Sequence, residues 1–287
     1  MCGFSFNKII VFESLDEDEK KTGTEIYNDL FYYKSLEIEQ LSSEIVSITN
    51  KDKLICELEK IALACKNDGL LPILHFEMHG LENHSGLYII SGESISWEEL
   101  CDYLRKINIL MRNNLFFTMA VCHGAYLMKT IDLRKAAPFW GFIGSFDVLY
   151  DTMLLRSYRA FYEEFLYSFD MNRAIMALQQ KAQELNLQFP NESSYYNFIN
   201  CQIVFRRLNE KQKQMNEDDV ALNERFEKES ALMGVTQNKR KIKRLYKKKS
   251  QSKKYINEWF KGKADVFFMI NRYPENKERF KEIIKKS

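Results

Sequence analysis

The chain has 287 residues, of which 45% are hydrophobic and 29% are charged, a composition typical of a folded globular protein and not of a disordered one. This length predicts one large domain, or one domain with an extension. The net charge of +2 is unevenly distributed, because Lys239–Lys254 contains ten basic residues and no acidic residue. The remainder of the chain is therefore net acidic.

Cysteine usage and hydropathy predict the compartment. The cysteines form no Cys-x-x-Cys pair, which disfavours a disulfide framework and a zinc knuckle and favours a reducing environment. Near the N-terminus, acidic residues follow one short apolar run, which is typical of neither a signal peptide nor a membrane anchor. No run approaches the roughly 20 apolar residues of a spanning helix. We therefore expect a cytoplasmic protein without membrane contact.

The apolar pattern predicts an alternation of strands and helices. Lys8–Glu13 is a β-branched run typical of a buried strand. Asn50 and Ser96 are the predicted N-caps of two amphipathic helices, and Glu99 completes a capping box with Ser96. Further apolar runs predict strands within residues 70–80, 87–90, 113–124 and 137–147, and helical spacing extends over Met153–Leu187.

This order predicts an α/β fold, a layered sandwich in which helices flank a largely parallel sheet. Residues 197–207 can add a strand or begin a helix, and we favour the strand. From Asn209 onward charged residues dominate and helical spacing persists. The sequence thus predicts a folded domain over residues 1–208 and a basic, mostly helical C-terminal extension over residues 209–287.

Two predicted strands end in a reactive side chain with a glycine close behind. His79 directly precedes Gly80, and Cys122 is followed by His123 and Gly124. In an open α/β sheet the functional crevice lies beyond the carboxyl ends of the strands, so an imidazole and a thiol can meet there. A nearby imidazole lets a thiol react as thiolate and later protonates the leaving amine. We expect Cys122 to be a nucleophile and His79 its base.

The same segments predict an oxyanion hole. A sharply turned backbone leaves N–H groups available beside a reacting carbonyl, and the amides of Gly80 and Cys122 are the predicted donors. His79 precedes Cys122 by 43 residues, which is compatible with the roughly 50 residues that separate histidine and cysteine in caspases.

In these motifs the chain resembles the caspase-like (clan CD) cysteine peptidases and, among them, the bacterial CHAT-type proteases. LHFEMHG is similar to the family's histidine strand and FFTMAVCHG to its cysteine strand, while WGFIGSFD, FYEEFL and IMALQQKA are similar to the elements that follow. The resemblance covers roughly Lys8–Arg207. It implies a cysteine endopeptidase with a His79/Cys122 dyad, a protein substrate and no cofactor or metal. It also implies a regulated effector in a bacterial defence or stress pathway, activated by a protein partner or a signal.

The family's usual specificity clue is absent. Relatives that cleave after aspartate carry glutamine two residues before the nucleophile, and several that cleave after basic residues carry an acid there, whereas this chain has Ala120. Asp147 and Asp151 follow the next strand, where the family often builds its primary specificity pocket. The resemblance thus implies Ala120, Asp147 and Asp151 as substrate-binding positions and allows a basic P1 residue. Otherwise such an acid is a helix N-cap or a solvated loop residue.

Plainer interpretations compete with the catalytic one. A lone buried cysteine packs as a small hydrophobe, and only the pairing with a histidine at a matching strand end favours catalysis. His75, His79, His84 and His123 lack the spacing of a metal site. We expect His123 to point to the opposite face of its strand in a structural role. His84 is either a loop residue, which we favour, or part of the cleft lining.

The basic segment Lys239–Lys254 supports an alternative function. Dense Lys and Arg around Tyr246 can neutralise phosphates, so the chain could be a catalytically silent caspase-like scaffold that binds nucleic acid or a protein partner there. The segment can instead be a solvated linker or a contact surface for the acidic body or a partner. Acyl transfer other than proteolysis is a third function open to the dyad. The apolar residues after this segment need burial: Trp259, Phe260, Phe267, Phe268 and Ile270.

Overall fold

The structure is a computed structural model that describes residues 4–211 and 262–286. The described chain forms two compact units, and the predicted catalytic residues belong to the first. The first unit comprises residues 4–132 and 137–201, and the second comprises residues 133–136, 202–211 and 262–286.

The first unit is built on a mixed sheet, whose main path in the described chain has the order β2-β1-β3-β6-β7-β8. Neighbours from β2 to β7 are parallel, β8 pairs antiparallel with β7, and β4 and β5 extend β3 as an antiparallel hairpin. The predicted α/β fold with a largely parallel sheet is confirmed. The strands are β1 (Lys8–Ser14), β2 (Ser42–Ser47), β3 (Pro72–Gly80), β4 (Gly86–Tyr88), β5 (Ser94–Ser96), β6 (Phe116–Ala120), β7 (Gly141–Gly144) and β8 (Asn197–Asn200).

Helices flank this sheet. They are α1 (Thr22–Ile26), α2 (Tyr32–Glu37), α3 (Lys51–Asn67), α4 (Trp97–Leu110), α5 (Asp151–Ser168) and α6 (Met171–Gln188). A π-helical turn, Tyr27–Phe31, joins α1 to α2, and 3-10 turns occupy Gly124–Thr130 and Pro190–Glu192. The remaining described helices are α7 (201–211), α8 (262–267), α9 (Asn276–Arg279) and α10 (Lys281–Lys286).

The chain changes direction across the sheet between β1 and β3. From β1 it moves outward through α1 and α2 to β2, then returns through α3 to β3 and continues through α4 to β6. Because β-α-β crossovers are right-handed, moves in opposite directions place their helices on opposite faces. The carboxyl ends of β1 and β3 therefore flank the topological switch point, where open α/β sheets bind ligands.

Both predicted N-caps are confirmed. The Asn50 side chain accepts a hydrogen bond from the Lys53 N–H at 2.8 Å, and Ser96 Oγ accepts one from the Glu99 N–H at 3.2 Å. The Glu99 carboxylate pairs with Lys51 Nζ at 2.7 Å, so it links the start of α4 to the start of α3. Caps are local hydrogen bonds, which is why the sequence alone located them.

The structure differs from the sequence-based expectation in several places, among them the unpredicted strand β5. Residues 22–47 contain α1, α2 and β2, where no element is predicted. The helical stretch Met153–Leu187 is interrupted where Phe169 adopts a left-handed φ of 50° and the Asp170 side chain caps α6. The strand favoured over 197–207 is correct for its first four residues and wrong beyond them, because the chain is helical from residue 201.

A buried polar cluster lies between the sheet and helices α1 and α5. His75 Nδ1 meets Thr118 Oγ1 at 2.5 Å, and His75 Nε2 lies 3.0 Å from Glu77 Oε1. The Tyr162 hydroxyl of α5 meets Thr118 Oγ1 at 2.7 Å, and Thr22 of α1 donates to Glu77 Oε2 at 2.8 Å. Burial raises the pKa of the Glu77 carboxyl. These bonds fix both helices on one face of the sheet.

An aromatic cluster forms a core in the second unit. The Phe205 ring of α7 lies 5.5 Å from Phe267 and 5.0 Å from Phe268, and Phe280 stacks on Phe268 at 4.6 Å. Phe267 and Phe268 are buried, so the predicted need for their burial is confirmed, and Ile270 is half-buried.

Several sequence-based predictions fall outside the described residues. They concern the roles of Lys239–Lys254 and the burial of Trp259 and Phe260, and they stay predictions, as does the domain boundary near Asn209. Within residues 4–211 and 262–286, no helix has the length and apolar character that a membrane crossing requires.

Candidate active site

His79 lies at the carboxyl end of β3, with 42% of its side chain exposed. Its Nε2 lies 2.8 Å from one carboxylate oxygen of Glu19 and 3.0 Å from the other. Glu19 belongs to the loop between β1 and α1. Side chains alternate along a strand, so His79 shares a face with His75 and Glu77. The imidazole therefore stands at the switch point, above the buried polar cluster.

The Glu19 carboxylate is held from two sides. Besides contacting His79, its Oε2 accepts a hydrogen bond from the Asp16 N–H at 2.6 Å. Partial burial acts to raise the pKa of Glu19, but the hydrogen bonds with His79 and Asp16 and the charges of His79 and Lys21 outweigh burial and lower it. Glu19 is therefore an ionised hydrogen-bond acceptor at neutral pH.

Cys122 lies two residues beyond β6, the strand next to β3. The last pair between these strands is Glu77 with Ala120, so His79 and Cys122 each follow it by two positions. The half-buried Cys122 Sγ accepts a hydrogen bond from the Leu149 N–H at 3.2 Å and lies 3.7 Å from the Leu149 carbonyl oxygen. The loop that precedes α5 thus contacts the thiol through the backbone of Leu149.

The thiol is not activated in this conformation. Burial raises the pKa of Cys122, outweighing the backbone hydrogen bonds that lower it, and the negative charge of Asp151 also raises it. The Cys122 sulfur is hydrogen-bonded to the backbone of Leu149, and the His79 imidazole is hydrogen-bonded to Glu19. Within the described residues, no hydrogen bond joins the thiol to the imidazole. The structure brings the two residues to one sheet edge without pairing their side chains.

Gly80 makes the close approach of the two strand ends possible. A Cβ built on Gly80 would lie 1.8 Å from the Cys122 carbonyl oxygen, so a larger residue cannot fit there. The Leu81 N–H donates to the Gly86 carbonyl, so Leu81 and Gly86 are a hydrogen-bonded pair of the antiparallel hairpin. Gly80 and Leu87 then form a non-hydrogen-bonded pair, whose N–H groups point away from the partner strand.

We compared the chain with known proteins. Neither the models of protein families nor the curated proteins match it. The resemblance to caspase-like peptidases therefore stays an expectation based on the motifs around His79 and Cys122, and the chemistry has to be inferred from the residues of the site.

His123 stabilises the chain that follows Cys122. The prediction that it points from a strand to the opposite face is wrong, because β6 ends at Ala120 and His123 adopts a left-handed φ of 61°. Its Nδ1 donates to the Phe146 carbonyl at 2.8 Å, and its backbone N–H donates to the Asp147 carbonyl at 3.1 Å. Its ring lies 4.1 Å from that of His84, so this loop histidine also borders the site.

The three predicted substrate-binding residues occupy different environments. Asp147 and Asp151 are exposed, the first on the loop that contacts Cys122 and the second at the start of α5. Ala120 is 2% exposed and pairs with Glu77 at the end of the β3–β6 ladder. The two acids therefore border the site on its solvent side, whereas Ala120 lies beneath it.

Four cysteines of the described residues form no disulfide bond: Cys56, Cys65, Cys101 and Cys122. In residues 4–211 and 262–286, no three side chains of His, Cys, Asp or Glu are placed to hold a metal ion.

Sequence reasoning missed Glu19 and Leu149. Glu19 belongs to an acidic run directly after β1, and the rule that located His79 at a strand's carboxyl end could have flagged that run too. Leu149 contributes its backbone N–H and carbonyl to Cys122, so its side chain carries no signal of this contact.

Proposed function

We propose that the protein is a caspase-like cysteine endopeptidase in which Cys122 is the nucleophile and His79 the general base and acid. The observation that carries this proposal is the position of both residues. Glu77 and Ala120 form the last residue pair between the parallel strands β3 and β6, and His79 and Cys122 each follow this pair by two positions. Both residues therefore lie at the carboxyl ends of the strands, on the side of the sheet where the switch point lies. The carboxyl edge of a sheet is where α/β enzymes collect reactive side chains from separate strands.

In the proposed reaction, His79 takes the thiol proton and the Cys122 thiolate attacks the carbonyl carbon of the scissile peptide bond. The resulting oxyanion is stabilised by backbone N–H groups, for which Gly80 and Cys122 are the candidates. Collapse breaks the C–N bond, and the imidazolium gives its proton to the leaving amine. Water, deprotonated by His79, then hydrolyses the thioester and regenerates the thiol.

This chemistry requires a change at Leu149. The Cys122 S–H has to turn from the Leu149 carbonyl oxygen to His79 before the imidazole can take its proton. A resting state of this kind suits a regulated enzyme, so the conformation supports an effector that a protein partner or another signal switches on. The family resemblance further implies a role in bacterial defence or stress.

Substrate recognition is proposed to involve the exposed acids beside the thiol. Asp147 lies on the loop that contacts Cys122. Burial raises the pKa of the Cys122 thiol, and the charge of the nearby Asp151 adds to this effect. A lysine or arginine at P1 could place its charge between these two carboxylates. Ala120 is buried, so its small side chain would contribute only by leaving room for the peptide above it.

The test compares wild type with Cys122→Ala in a cell lysate, followed by mass-spectrometric mapping of new N-termini. Burial raises the pKa of the Cys122 thiol, and the Leu149 N–H acts to lower it. Leu149→Pro removes this N–H, and Leu149→Ala keeps it as a matched control. We expect new termini with wild type and Leu149→Ala, fewer with Leu149→Pro, and none with Cys122→Ala. Folding of each variant is checked by circular dichroism. Identical termini with and without Cys122, in folded proteins, would overturn the proposal.

A second candidate is a catalytically silent scaffold. It is favoured by the raised pKa of the buried Cys122 thiol and by the absence of a thiol–imidazole hydrogen bond in the described chain. In that case Cys122 packs as a small hydrophobe, and Lys239–Lys254 binds nucleic acid or a protein partner. The lysate experiment separates the two candidates, because a scaffold produces no termini that depend on Cys122.

A further inference from the structure

The loop that carries Glu19 is braced by its own residues. The Lys21 ammonium donates to the carbonyl of Leu15 and, at 2.6 Å, to the carbonyl of Asp16. The Glu19 N–H donates to the Asp16 carbonyl at 3.1 Å, and the Asp16 N–H returns a bond to the Glu19 carboxylate at 2.6 Å. A surface loop needs none of these bonds to connect two elements, so they fix the direction of one side chain.

Two carboxylates of the sheet anchor the far end of this loop. Glu77 of β3 accepts the Thr22 hydroxyl at 2.8 Å. Glu13 of β1 accepts the Thr24 N–H at 2.8 Å and the Thr24 hydroxyl at 2.7 Å. Because Glu77 and His79 share a face of β3, the strand that presents the imidazole also holds the loop whose carboxylate contacts that imidazole.

From this geometry we propose that Glu19 is a positioning residue for His79, so that the site works as a Glu19–His79–Cys122 triad. The inference rests on the proposed peptidase function. The His79 Nε2–H donates to Glu19, which leaves Nδ1 as the nitrogen that receives the Cys122 proton. When the imidazolium forms, the adjacent carboxylate stabilises its charge and itself stays unprotonated.

The competing explanation is an ordinary surface ion pair. His79 and Glu19 are 42% and 34% exposed, and exposed pairs contribute little to stability. A surface pair would affect neither the tautomer nor the orientation that the reaction needs, and its loss would leave the chemical step unchanged. A positioning role predicts the opposite, which makes the rate of that step the decisive readout.

The test measures how fast a peptide acyloxymethyl ketone modifies Cys122, with the inactivation rate constant kinact separated from the binding constant KI. The thiolate displaces the carboxylate leaving group and forms a thioether, so no water or amine is involved. We expect Glu19→Ala to lower kinact on the order of 10²-fold with KI unchanged, as for a misplaced catalytic group. Glu19→Gln keeps an acceptor oxygen and should lose less. Glu17→Ala, on the same loop and exposed, should match wild type.

A second measurement checks the contact between Glu19 and His79. Carboxyl ¹³C NMR follows the titration of Glu19, whose pKa should rise when His79→Gln removes the imidazole that helps to lower it.

The labelling rates separate this inference from the proposed function. If Cys122 reacts in a His79-dependent way but Glu19→Ala keeps kinact within twofold of wild type, the positioning role is wrong and the peptidase stands. If the reaction of Cys122 is independent of His79, the peptidase fails, and the triad with it, whatever the titration shows.

Discussion

At the scale of single residues, the reactivity of Cys122 depends on its immediate neighbours. Burial raises the pKa of the thiol, and the Asp151 carboxylate adds to this effect because a thiolate beside a negative charge is disfavoured. A raised pKa keeps the group protonated to a higher pH, so less of the reactive thiolate is present at neutral pH.

Asp151→Asn should therefore speed the alkylation of Cys122 by iodoacetamide. Removing the negative charge lowers the pKa of the thiol and increases the thiolate fraction at pH 7 to 8, although the gain stays modest because burial is the larger cause. The measurement is the mass-spectrometric rate of modification at Cys122 as a function of pH. Asp147→Asn, another exposed acid of the same region, is the control and should behave as wild type. A rate that rises equally in both variants would contradict this assignment.

Two residues of the site could be predicted and two could not. His79 and Cys122 carry their chemistry in their own side chains, at strand ends that hydrophobic runs make visible. The partner of His79 lies 60 residues away in the chain, and the contact exists only because β1 and β3 are neighbours. Leu149 acts through its backbone, which no residue type encodes.

At the scale of elements, the close approach of β3 to the segment that carries Cys122 depends on Gly80. A Cβ at this position would overlap the Cys122 carbonyl oxygen, so Gly80→Ala has to push the two strand ends apart. We expect a loss of about 1 to 3 kcal/mol of unfolding free energy, as for other overpacked sites, together with loss of Cys122 reactivity towards the peptide ketone. Denaturant unfolding and labelling measure the two effects.

Gly262 offers a matched control for this substitution. A Cβ built there meets no atom of the structure within 4 Å, so Gly262→Ala should cause no loss of stability and leave labelling unchanged. Equal effects of Gly80→Ala and Gly262→Ala would show that the close approach at Gly80 has no mechanical role.

A helix or strand could be predicted from the sequence where its caps and hydrophobic pattern lie in consecutive residues. Helices α3 and α4 could be predicted because their caps and amphipathic faces are written in consecutive residues. Strand β2 is a half-buried edge strand with three serines, so it lacks the continuous apolar run that marks β3 and β6. The break between α5 and α6 depends on the left-handed Phe169, a conformation that residues other than glycine rarely adopt.

At the scale of the whole molecule, the fold explains why reactive residues from distant parts of the chain converge. The change of direction between β1 and β3 places the topological switch point at their carboxyl ends, where Glu19 lies in the loop after β1 and His79 at the end of β3. Cys122 comes from the next strand, and α5 closes the same face behind it. A parallel sheet could be predicted from the order of elements, but this strand order could not.

The most direct test of the central claim is the dependence of Cys122 labelling on His79. Wild type and His79→Gln are treated with a library of peptide acyloxymethyl ketones, and the modified cysteine is identified by mass spectrometry. The account predicts labelling of Cys122 in wild type and a fall of about 10²-fold or more in His79→Gln, the contribution of a positioned acid–base group. The exposed Cys56 serves as internal control, because its slow modification should be equal in both proteins. Labelling of Cys122 that is equal in both proteins, or no faster than that of Cys56, would contradict the account.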